Sequence, residues 1–301
     1  MKHPSPGSLL IAMVAVLPAC ASQDEAPLET AAAAVPNVVS LSASEYAIEA
    51  PDTVAAGWTT LRLANHGQDI HYGHMVRLDS GRTVRELVDA YAEAIRTSGP
   101  RPKWVKRFGG PGGAAPGESS TVTQYLEPGP YVWICPVEDA EGTPHFAKGE
   151  FKPFVVAVAG TAEADRGGAP EADMVIRLED YSFAMDSAVR AGRHIIRVEN
   201  AGVEPHDLVL MKLAPGRTAE DIRTWLNPER ARRSDDKAGE PPPSFEELGT
   251  GAGGIAAIGS GMESFFEADL TSGEYVMVCM ATAPDGRSHI EHGMIRQVSV
   301  E

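Results

Sequence analysis

The feature that most limits how this chain can fold is that it repeats itself. With Tyr46 set against Tyr181, an offset of 135, Gly57 falls on Gly192, Asn65 on Asn200, Gly67 on Gly202, His71 on His206 and Thr83 on Thr218, without a gap. Further on the offset is 144. There Leu126, Gly129, Tyr131, Val132 and Cys135 match Leu270, Gly273, Tyr275, Val276 and Cys279, while His145 and Gly149 match His289 and Gly293. The nine extra residues fall between Thr218 and Leu270, in the polar run "PERARRSDDKAGEPPPS". A shared pattern this long means duplication of a whole domain of roughly 120 residues. The boundaries it implies are 38–158 and 173–301, joined by a linker at 159–172.

Each copy reads as all-β. "TTLRLAN", "HMVRLD", "STVTQYL", "PYVWIC" and "KPFVVAV" in the first copy are short and strand-like, with turn residues between them. "HIIRVEN", "DLVLMKL", "MESFFEADL", "EYVMVC" and "IRQVSV" are their counterparts in the second. Each copy also carries one helical insert. "TVRELVDAYAEAIRTSG" opens with Thr83 and Glu86 in a capping-box arrangement, and "TAEDIRTWL" opens with Thr218 and Asp221. Many short strands in about 120 residues predict a sandwich of two sheets or a Greek-key barrel. Two glycine-rich segments, Arg107 to Ser119 and Gly249 to Met262, lack the lysine and the strand-to-helix context of a phosphate loop. They are expected to be flexible loops.

The N-terminus is not expected to belong to the fold. Residues 1–19 carry an apolar run, Leu9 to Leu17, of signal-peptide length, and end "LPA" before Cys20. This resembles a bacterial lipoprotein signal, which implies lipidation of Cys20 and a flexible tether over residues 20–37. The alternative is an ordinary secretory signal. Either places the chain outside the cytoplasm. The first places it on the periplasmic side of a bacterial membrane, the outer membrane favoured because Ala21 rather than aspartate follows Cys20. The net charge of −16 excludes nucleic acid as the main partner. Cys135 and Cys279 occupy the same place in two copies, so they are not expected to reach the ~7 Å that a disulfide needs.

The second copy runs "NAGVEPH", then "GEYVMVC", then "SHIEHGM". This order resembles the cupredoxin family, the blue-copper β-sandwich. There one histidine follows an Asn-x-Gly turn, and a loop between the last two strands supplies Cys, His and Met. The resemblance implies two tandem cupredoxin-like Greek-key β-sandwich domains. It also implies a type 1 copper ion held by His206, Cys279, His289 and Met294. The spacing Cys-x9-His-x4-Met lies close to the long ligand loop of the copper nitrite reductases. The repeat selects His289 over His292, whose counterpart is Lys148, and His71 over His74, whose counterpart is Val209. The first copy keeps His71, Cys135 and His145 but has Glu150 where Met294 stands. Two readings stand for it: a site with a harder fourth donor, favouring Cu(II) or admitting Zn(II), or a site that binds nothing.

A thiolate, two imidazoles and a weak thioether accept both Cu(I) and Cu(II), which implies electron transfer with an unknown redox protein as partner. Copper storage or delivery is the alternative, to which Met277, Met280 and Met294 would be suited; a metal-free binding or structural lipoprotein is the third. Oxidases and reductases of the lineage carry His-x-His pairs and a histidine beside the cysteine. Here Cys279 lies between Val278 and Met280, Cys135 between Ile134 and Pro136, and no His-x-His occurs. The chain is therefore expected not to be an enzyme.

Overall fold

Apolar alternation with period two becomes strand after strand. The computed structural model describes residues 1, 37–97, 99–158, 168–185, 188–226 and 244–301. Residues 2–19 of the expected signal peptide, Cys20, most of the tether, residues 159–167 of the linker and most of the "PERARRSDDKAGEPPPS" run lie outside the described residues. In the first half the elements are β1 (Asn37–Ser44), β2 (Ala47–Glu49), β3 (Thr53–Ala55), β4 (Gly57–Asn65), β5 (His74–Leu78), α1 (Val84–Arg96), β6 (Val105–Arg107), β7 (Ser119–Leu126), β8 (Gly129–Ile134) and β9 (Phe151–Ala157). The second half has β10 (Met174–Glu179), β11 (Ser182–Met185), β12 (Gly192–Asn200), β13 (His206–Leu213), α2 (Ala219–Trp225), α3 (Phe245–Leu248), β14 (Gly249–Ile258), β15 (Glu263–Leu270), β16 (Gly273–Val278) and β17 (Ile295–Val300). The protein is all-β with sandwiched sheets, as expected. Among the described residues no helix is long and apolar enough to cross a membrane.

Three sheets make the sandwich. Eight strands run in the order β11-β10-β12-β15-β7-β4-β1-β2, five as β3-β9-β8-β5-β6, and four as β14-β13-β16-β17. In each half the first strand lies parallel to the long strand that ends in asparagine, β1 with β4 and β10 with β12. The eight-stranded sheet passes from one half to the other through β15 and β7, paired at Phe265 with Thr123 and Phe266 with Val122. One apolar cluster follows it, from Leu61 and Trp133 to Ile196 and Met277.

The helices explain why the cysteine-bearing strands are apolar on both faces. Leu87 and Tyr91 of α1 pack on Val132 and Ile134 of β8. Ile222 of α2 and Leu248 of α3 join Val276 and Val278 of β16 in a matching cluster. Strands covered on both sides lose the polar half of their alternation. Both longer helices begin with the expected capping boxes, Thr83 with Glu86 and Thr218 with Asp221.

The glycine-rich segments are a correction. Gly249–Ile258 is not a loop but the ten-residue strand β14, paired with β13 through two register shifts. Its glycines hide a strand because they permit bulges and close backbone approach. A Cβ at Gly254 would lie 2.1 Å from the Leu208 carbonyl oxygen. The other segment meets it: Phe108 bridges to Ile258 and Pro111 to Ile255.

Candidate metal centres

In the second half, a turn after β12 delivers the first histidine. The buried Asn200 amide donates to the carbonyls of Glu204 (2.7 Å) and Ile258 (2.9 Å), and its oxygen accepts from Gly202 N–H (2.9 Å). This fixes the chain into His206, the first residue of β13. Cys279 follows the last residue of β16. Its N–H donates to the Met294 carbonyl at 3.2 Å, while the N–H groups of His289 and Met294 donate to Ala281 and His289 at 2.8 and 2.9 Å. These bonds close the loop and turn the side chains inward. His206 Nδ1 and His289 Nδ1 are 2.9 Å apart, and Cys279 Sγ lies 3.8 and 3.4 Å from them. All three residues and Met294 are fully buried, and Met294 shares the Cys279 apolar cluster.

The far ring nitrogens are held by carboxylates. His206 Nε2 lies 2.9 Å from Asp180 Oδ1, and His289 Nε2 lies 3.0 Å from Glu204 Oε2. Tyr181 donates to the other Glu204 oxygen at 3.0 Å and sets its ring edge against His289. With each Nε2–H given to a carboxylate, each Nδ1 presents a lone pair. Two such lone pairs face each other beside a thiol, an arrangement that fits a cation between them. Burial pushes the Cys279 thiol well above its ordinary range, the Asp207 carboxylate adding to it, and burial together with the neighbouring His206 pushes His289 down to about 3. The metal-free cysteine thus keeps a thiol proton that an incoming cation must displace. A Cβ on Gly202 would lie 2.3 Å from Asp180 Oδ1 and 2.8 Å from His206 Nε2, so this position needs glycine for close approach.

The first half builds the same frame. The Asn65 amide donates to Asp69 and Ala114 carbonyls at 2.7 and 2.8 Å, and Gly67 N–H donates back at 2.8 Å. Cys135 N–H donates to the Glu150 carbonyl at 3.2 Å, and Glu150 N–H to His145 at 3.1 Å. Cys135 Sγ is 3.6 Å from His145 Nδ1 and accepts from Tyr72 N–H at 3.4 Å. The Glu150 carboxylate bridges the rings, with Oε1 2.7 Å from His71 Nδ1 and Oε2 3.1 Å from His145 Nδ1. All four residues are fully buried. The outer carboxylates are looser here: Glu45 is 3.4 Å from His71 Nε2, and Asp69 is 3.9 Å from His145 Nε2. Burial raises Glu150 to about 8.

Each half therefore gathers the histidines and cysteine that the sequence singles out. Four donors of the first half and three of the second each lie within 4.8 Å of one another. Cys135 and Cys279 are free and buried, as expected. His292 pairs instead with Asp285 at 3.0 Å and stacks on Tyr181, and His194 pairs with Asp173. His66 is exposed. Sequence reasoning missed the carboxylates that hold the rings. The repeat already carried them, since at the same offset Glu45 falls on Asp180 and Asp69 on Glu204.

His74 is buried on β5, outside the cluster, and its Nε2 has no hydrogen-bond partner. Burial, then the nearby Arg107 charge, lowers it to about 3. Between pH 6.5 and 3 the unfolded chain thus binds a proton that folded His74 refuses. Stability falls as pH drops through that window, by about 1.4 kcal/mol per pH unit at most. Urea unfolding of the metal-free protein at pH 7 and pH 5 should differ less in His74→Gln than in the parent; an unchanged difference would contradict this.

No protein-family model and no curated protein matches the chain. Solved structures similar to it include a reduced auracyanin from the photosynthetic bacterium Roseiflexus castenholzii, at 24% identity over 42% of this chain and 99% of that one, with a TM-score of 0.28. A copper-containing nitrite reductase from Thermus scotoductus SA-01 aligns at 13% identity over 89% of this chain and 62% of that one, TM-score 0.24. A multicopper oxidase aligns at 13% identity over 88% of each chain, TM-score 0.23. Two of these three are enzymes by title, so the expectation that the chain is not an enzyme is corrected.

Proposed function

We propose that the protein is an extracytoplasmic copper-binding electron-transfer protein whose redox centre lies in its second half. The observation that carries this reading is the convergence of His206 Nδ1, His289 Nδ1 and Cys279 Sγ in a fully buried pocket, each ring fixed from behind by a carboxylate. His206, Cys279 and His289, with Met294 buried in the same cluster, would hold the ion. A copper ion there would supply one-electron chemistry, since these donors suit both Cu(I) and Cu(II). The chain's own part is to hold three donors in one place, so that little has to move between the two states. Asp180 and Glu204 keep the Nδ1 lone pairs inward, and burial keeps water out. The delivery reading finds less support, because Met277 is packed in the core and Met280 is 40% exposed.

The paired turns, outer carboxylates and cysteine loops support reading residues 38–158 and 173–301 as duplicated domains. With the expected signal at 1–19 and lipidation at Cys20, the chain would be tethered at the periplasmic face of a bacterial membrane, exchanging electrons with a redox protein. Full-length protein given Cu(II) should develop an intense visible band that a reductant bleaches and an oxidant restores. A colourless product after loading would contradict the proposal.

Asp180→Asn keeps the shape but removes the charge behind His206. Loss of such an outer partner costs roughly 10–100-fold in metal affinity. Competition with a chelator should show that weakening in the variant while the visible band persists; unchanged affinity would remove Asp180 from the account.

A further inference from the structure

The two halves present one backbone with two fourth donors. Cys135 N–H to Glu150 and Cys279 N–H to Met294 are both 3.2 Å. Gly149 and Gly293, one residue before the fourth donor, both have positive φ, 118° and 101°. Within this frame a thioether has been exchanged for a carboxylate. We propose that the first-half cluster is a divalent-cation centre of a different kind, with Glu150 as fourth donor, that selects Zn(II) or Cu(II) and rejects Cu(I).

Charge and donor hardness separate the two sites. With a thiolate as its only anionic donor, the second-half site is neutral around Cu(I) and carries +1 around Cu(II). The first-half site adds the Glu150 carboxylate, so it is neutral around a divalent ion and carries −1 around Cu(I). Both clusters are fully buried, where uncompensated charge is strongly disfavoured. Each has two outer carboxylates behind its histidines, so these do not separate the halves. The carboxylate is also a harder donor than the thioether, and two imidazoles, a thiolate and a carboxylate form a four-donor set of the kind that borderline divalent ions take. Its geometry is already that of a ligand: the two oxygens reach one Nδ1 each, and Oε2 is buried without a hydrogen-bond partner.

The inference shares with the function proposed above the idea that these clusters hold metal, but it is tested in a chain that lacks the second-half site. Full-length Cys279→Ser, stripped of metal, would be loaded separately with Zn(II), Cu(II) and Cu(I), and bound metal measured by elemental analysis after desalting. The expected result is one divalent ion per chain and no retained Cu(I). Zn(II) displacing Cu(II) in competition would identify a zinc centre, and the reverse a Cu(II) centre; both support the proposal. Glu150→Gln keeps the side-chain shape, so it tests the charge rather than the fold. It should weaken divalent binding by more than the roughly 10–100-fold that an outer partner costs. Glu150→Met should restore Cu(I) retention. Absence of divalent metal in Cys279→Ser, or unchanged affinity in Glu150→Gln, would overturn the proposal. Absence of copper in Cys135→Ser would strike the second-half reading alone.

Discussion

Cys279→Ser is expected to take Cu(I) binding from one ion per chain to none, whereas Cys135→Ser leaves it intact. The sulfur is the one soft anionic donor of the second-half cluster, 3.4 and 3.8 Å from the two Nδ1 atoms. A serine hydroxyl stays protonated there and is a poor donor to a soft ion. The residue is fully buried in an apolar cluster, and sulfur-to-oxygen exchange changes its volume little, so the fold should persist. The readout is Cu(I) retained after desalting, with far-ultraviolet circular dichroism as the folding control. Equal retention in Cys279→Ser and the parent would mean that copper binds elsewhere.

Gly110→Ala is expected to be among the most damaging small changes in the described residues. Gly110 sits where the two halves meet, its N–H donating to the Gln124 side chain (2.8 Å) and its carbonyl accepting from Ala256 N–H (3.0 Å). Its φ is +108°, and a Cβ would lie 2.0 Å from the Gly73 carbonyl oxygen. Backbone rather than a flexible side chain is in the way, so the junction must shift. The cost should exceed about 4 kcal/mol, the range of exceptional mutants. Gly117→Ala provides the comparison, with φ +76° but nothing within 4 Å. It should cost only about 1–2 kcal/mol, the usual penalty for a left-handed backbone with a side chain. Urea midpoints of the two variants would check this; similar values would show that the close approach at Gly110 is not tight.

The strands and the ring of donors were largely legible in the sequence, for physical reasons that can be named. Strand β4 shows its alternation openly, with Leu61 and Leu63 inward and Arg62 outward. The repeat picked His71 and His289 over their near neighbours, and both lie in the clusters. What was not legible depended on how distant segments meet. Strand β14 escaped because its glycines carry no side chains to alternate. The shared eight-stranded sheet rests on two paired positions between β15 and β7, which no local pattern marks. The ring-holding carboxylates follow the repeat, but their role appears only when Asp180 and Glu204 stand behind His206 and His289. Glu150 was legible as a substitution for a methionine; that its two oxygens bridge both rings was not.

One sulfur and two imidazole nitrogens of the second half are expected to surround one copper ion. X-ray absorption fine structure on copper-loaded Cys135→Ser would reveal them. The expected shell holds one short sulfur and two nitrogens; a shell of nitrogen and oxygen alone, with no sulfur, would overturn the proposed centre.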